Sequence, residues 1–68
     1  MRPLTELIDD FKKDKLEQGL FTSTNEYGNN VIVEVFSDCL KISTLQNNGW
    51  TRINEYYKDG TTTESYTK

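Results

Sequence analysis

Cys39 is the chain's one cysteine, and no histidine is present to serve as a base for it or for any serine. A thiol becomes reactive when a cationic neighbour stabilises its thiolate, and the residue beside Cys39 is Asp38. Cys39 therefore reads as a small buried hydrophobe within a strand. Paired carboxylates carry acid–base chemistry in glycosidases, and Asp9 with Asp10 or Glu55 with Glu64 are the candidate pairs. A chain of 68 residues is too short to build a deep cleft as well as a core, and acids early in a helix already complement its dipole. One thiolate with carboxylates is a poor match to known zinc sites. Asn48-Gly49 and Asp59-Gly60 are hairpin turns with no phosphate-binding pattern around them. A protein without catalytic residues, metal or cofactor is expected.

Binding is the remaining chemistry. Trp50, Tyr56, Tyr57 and Tyr66 interleave with Arg52 and Lys58, and aromatic side chains beside cations can stack unpaired bases. Trp50, Arg52, Tyr56 and Tyr66 make the candidate nucleic-acid face. Cross-strand packing is the commoner use of such residues. The net charge of −3 also lies on the wrong side of zero for a general nucleic-acid binder. Nucleic acid is the second choice of partner. Lys12-Lys13-Asp14-Lys15 reads as the wet face of a helix.

The elements that must position these residues follow from periodicity. Leu4, Leu7, Ile8 and Phe11 fall on one face of a 3.6-residue repeat, predicting an amphipathic helix from Pro3 to Gln18. Pro3 suits the first turn, and Gly19 is expected to end the helix in a left-handed conformation. Beyond Gly19 the period becomes two. Leu20–Asn25 is a plausible short strand, and whether it pairs is left open. Val31–Phe36 is the strongest strand, followed by Leu40–Leu45 and Trp50–Tyr57. Lys58-Asp59-Gly60 then turns the chain into Thr61–Tyr66. A two-residue Asp-Gly turn would pair Ile53 with Tyr66 and set Glu55 against Glu64. A three-residue turn with Gly60 left-handed avoids the acid pair and loses the apolar one. The expectation is one α+β domain over residues 1–68, a helix packed on an antiparallel sheet of three to five strands.

Both central strands carry apolar residues on both faces. Val31, Val33 and Val35 oppose Ile32 and Phe36, while Leu40 and Ile42 oppose Cys39 and Leu45. One helix covers one face. A domain of this size buries only about 60% of its unfolded surface, and a lone cysteine gives it no internal disulfide. Either the sheet curls around a small core or a second copy covers the bare face. The second copy is the expectation, with Ile32, Phe36 and Leu45 as the candidate interface for the dimer or for another protein.

The run from Trp50 to Glu64 has the character of small Gram-positive phage and prophage proteins. With its length and helix-then-strands layout, the chain resembles the Yopt family of Bacillus prophage proteins. That resemblance implies a homodimer of one helix and three strands, and it implies no activity. No apolar run approaches the roughly 18 residues of a membrane span, and Met-Arg-Pro-Leu-Thr-Glu-Leu lacks the stretch of a signal peptide. The expected protein is a cytoplasmic, non-enzymatic homodimer that binds a protein target as a phage-encoded regulator, with no membrane partner.

Overall fold

The computed structural model describes residues 2–68. Helix α1 (Leu4–Lys12) precedes β1 (Gly19–Thr24), β2 (Asn30–Val35), β3 (Cys39–Leu45), β4 (Thr51–Tyr57) and β5 (Thr62–Thr67). The strands form one antiparallel sheet in chain order, β1-β2-β3-β4-β5, so β1 and β5 are its two edges. The first short strand does pair, along all of β2. The sheet has five strands where the family resemblance implies three.

Three of the four turns are built alike. Asn25 N–H donates to the Asn29 carbonyl, Gln46 N–H to Trp50 and Tyr57 N–H to Thr61, at 3.0, 2.8 and 2.8 Å. Each bond closes a three-residue loop whose third residue is glycine: Gly28, Gly49 and Gly60. That position needs a positive φ, +92° at Gly60, which a side chain would strain. The loop length decides the last register. Arg52 faces Tyr66, Asn54 faces Glu64 and Glu55 faces Thr63, so the two acids never meet. Each finds a neutral donor instead, Asn54 Nδ2 to Glu64 at 3.2 Å and Thr63 Oγ1 to Glu55 at 2.9 Å.

The helix ends sooner than its apolar spacing and Gly19 suggested. Asp14 takes the left-handed conformation with φ 59°. Lys15 N–H then reaches back to the Asp10 carbonyl at 2.8 Å, and Asp14 N–H to Phe11 at 3.1 Å. This is the Schellman pattern, with an aspartate where glycine is usual. Gly19 instead opens β1. The Asp14 carboxylate pairs with Lys58 at the end of β4, which holds its pKa below the usual carboxylate range. The two roles of Asp14 separate by substitution. Asp14→Gly should be neutral or stabilising by up to about 1 kcal/mol, because relief of the left-handed strain offsets an exposed ion pair. Asp14→Ala should be the less stable of the two, since it keeps the strain and loses the pair. Thermal melts of both proteins against wild type check the order.

Alternation puts Val31, Val33, Val35, Leu40 and Ile42 on one face, and there they meet Leu7 and Phe11 from the helix in a single core. Leu4, Ile8, Leu16, Phe21 and Tyr56 pack at its margin. The helix runs obliquely across this inner face. Its start is tied to β1 by Ser23 Oγ, which donates to the Arg2 carbonyl at 2.6 Å. Its end reaches β4, where Lys58 Nζ sits 5.3 Å from the Phe11 ring centre.

Candidate functional site

The oblique helix leaves one corner of the inner face open. Every residue of β4 is half-buried and every residue of β5 is exposed. Between the start of the helix, the Asn25–Tyr27 turn and β3–β4 lies a groove of about 410 Å³. Leu4 and Ile8 form its helical wall, and Ile42 and Tyr56 give it an apolar floor. Thr44, Arg52 and Asn54 add polar groups along the adjacent strands. The size falls in the range of small-molecule pockets, which also tend to combine apolar walls with a few polar groups.

Arg52 is the charged group of that floor. Its Nε is sealed from water and has no hydrogen-bond partner among the described residues. A buried donor without an acceptor costs about 1–3 kcal/mol. Arg52 also borders a shallower hollow beside Asn29 and the Gln46–Asn48 turn. The candidate nucleic-acid residues thus divide. Arg52 and Tyr56 line the groove, and Tyr66 stands across from Arg52 on exposed β5. Trp50 precedes β4 and lies outside the groove, with Lys68 Nζ 5.5 Å from the ring centre. Thr44, Asn54 and Tyr27 were not among the residues that the sequence nominated. The first two share the alternation of Arg52 and Tyr56, so their placement was readable once the loop lengths were known. Tyr27 comes from a turn, for which periodicity carries no signal.

The outer face is the side of the sheet opposite the helix. Ile32 and Leu45 lie there together, 52% and 68% exposed, with half-buried Ile53 in the same row as Ile32 across Ser43. Phe36 follows β2 at the other end of the sheet, four residues or about 13 Å along the chain from Ile32. A charged row, Glu34–Lys41–Glu55, crosses the sheet between them. The outer face is therefore mixed: an apolar patch at one end, three alternating charges, and Phe36 beyond.

Cys39 is buried beside Tyr57, its cross-strand neighbour. Burial first, then the nearby Glu55 and Asp38 carboxylates, push its thiol pKa up. Few thiolates then exist at neutral pH. Alkylation of the folded protein by iodoacetamide at pH 7 should run at least about tenfold slower than in urea. Mass spectrometry of timed samples reads the two rates.

The lysines at the end of the helix, Lys12, Lys13 and Lys15, are exposed. Lys13 meets Asp9 at 2.9 Å, and both side chains are exposed. Among the described residues no group of three or more cysteine, aspartate or glutamate side chains could hold a metal ion. No helix among them is long and apolar enough to cross a membrane. No protein-family model, curated protein or solved structure matches the chain.

Proposed function

We propose that the protein is a non-enzymatic binding module that works as a homodimer, joined through the outer face of its sheet. The observation that carries this reading is the exposure of Ile32 and Leu45, side by side on the face that the helix leaves uncovered. The amphipathic helix packs on one side only, and β1 and β5 are the unjoined edges of the sheet. A second copy fits this face in charge as well as in polarity. With a two-fold axis running along the sheet between β2 and β3, Glu34 of each copy lies opposite Lys41 of the other. An isologous contact presents the same patch twice, so both the apolar pair and the ion pair are doubled.

In the cytoplasm of its host such a dimer would act on another protein through surfaces left free by association. The resemblance to the Yopt family points the same way and suggests a phage or prophage regulator. Sedimentation equilibrium at micromolar protein tests the proposal. A species of twice 7.9 kDa is expected, and a concentration-independent monomer would overturn it. The aromatic reading has its own observation, the alignment of Arg52 and Tyr56 with Tyr66 across the strand. Binding of a single-stranded oligonucleotide that weakens steeply with salt would favour that reading over the first.

A further inference from the structure

The outer face accounts for the dimer and leaves the inner groove unused. That groove has three properties of a ligand site. It is concave and about 410 Å³ in volume. Its walls are largely apolar, from Leu4, Ile8, Ile42 and Tyr56. It also has one cationic residue in its lining, the half-buried Arg52. A guanidinium beside an apolar cavity is best matched by an oxygen acceptor carrying negative charge.

The charge of the surroundings narrows the class. Arg52 is the one cation among the described residues that line the groove, and Glu26 stands on its rim. Glu64 lies just outside, bonded to Asn54. A phosphodiester chain or a phosphate dianion would meet two carboxylates for a single guanidinium. A monoanion balances Arg52 and adds little repulsion. Carboxylates match the planar fork of arginine with two parallel hydrogen bonds, which the two terminal guanidinium nitrogens can donate. The apolar walls call for a flat hydrocarbon or aromatic body behind that head.

We infer that the groove between the start of the helix and β4 binds a small monocarboxylate with an apolar body, its carboxylate held by Arg52. The head group takes the acceptor position at the guanidinium, and the body lies along Ile42 and Tyr56 under the helix. Asn54 and Thr44 flank the head and supply neutral polar contacts. Because this site is on the inner face, it can fail while the dimer stands, and the reverse.

Phenylacetate is the probe, with phenylethanol as the neutral molecule of similar shape. Both are titrated into the ¹⁵N-labelled full-length protein while its amide spectrum is recorded. Phenylacetate should give saturable shifts at Thr44, Arg52 and Asn54 in the low-millimolar range. Phenylethanol should bind at least tenfold more weakly. This comparison uses the wild-type protein alone, so it holds whatever the variants do. Arg52→Gln, checked for an unchanged pattern elsewhere, should lose the preference for the acid. Arg52→Lys keeps the charge without the fork and should fall between the two. Equal binding of the acid and the alcohol, or no saturable shift with either, would overturn the assignment. So would inorganic phosphate or an eight-residue oligothymidylate binding the same amides more tightly than phenylacetate.

Discussion

Phe11→Ala is expected to leave the chain largely unfolded at 25 °C. Truncating a buried phenylalanine costs about 3–5 kcal/mol, and a domain of this length holds only about 3–10 kcal/mol in total. Phe11 is 2% exposed and belongs to the core that joins the helix to β2 and β3. The variant also loses the ring beneath the Lys58 ammonium, a smaller contribution at an exposed site. Lys12→Ala is the matched control, because Lys12 is the exposed neighbour on the same helix. It should melt within about 0.5 kcal/mol of wild type. Circular dichroism during urea titration reads both proteins. Should Phe11→Ala melt within a few degrees of wild type, the helix does not hold the core together.

The helix and the strands could be read from the chain because their signals are local. Leu7 and Phe11 repeat at helical spacing, and both are buried. The valines of β2 repeat at two, and all three face the core. Where the structure departs from the sequence pattern, it does so at a residue whose partner is distant in the chain. Glycine is the usual left-handed residue after a helix, yet Asp14 takes that place five positions before Gly19. Its carboxylate meets Lys58, 44 residues away, and no sequence window contains both. The last register was undecidable from cross-strand pairs because each is worth only about 0.2–1 kcal/mol. The shared three-residue loops were the better guide, since Gly28, Gly49 and Gly60 all close the same kind of turn.

The candidate surfaces were legible in their residues and not in their grouping. Ile32 and Leu45 come together because β2 and β3 are joined by a two-residue turn that sets their register. The same register draws Glu34, Lys41 and Glu55 into a row and so separates Phe36 from the other two. Arg52 and Tyr56 were nominated for stacking bases. The oblique helix turns their neighbourhood into a groove, a consequence of tertiary packing that strand periodicity does not encode.

That charged row makes self-association testable in a way that apolar exposure alone does not. If folding and dimerisation are coupled, each tenfold dilution weakens the dimer by about 1.4 kcal/mol. For two 68-residue chains this lowers the melting temperature by about 5 °C. Ile32→Lys places an ammonium in the centre of the apolar patch and should abolish both the dimer and the concentration dependence. Phe36→Lys, beyond the charged row, should have the smaller effect. Charge reversal then tests the proposed axis. Glu34→Lys brings two lysines together at both symmetric positions and should weaken association by about tenfold. Adding Lys41→Glu to the same chain restores opposite charges across the axis, and association should recover. Glu34 and Lys41 also face each other within one chain, so Glu34→Lys disturbs that pair in a monomer as well, and the double exchange restores its stability there too. The recovery must therefore be read in the mass by sedimentation, and not in the melting temperature. A dimer that ignores both reversals would place the axis elsewhere on the face, and a 7.9 kDa species for the unsubstituted chain would remove the dimer altogether.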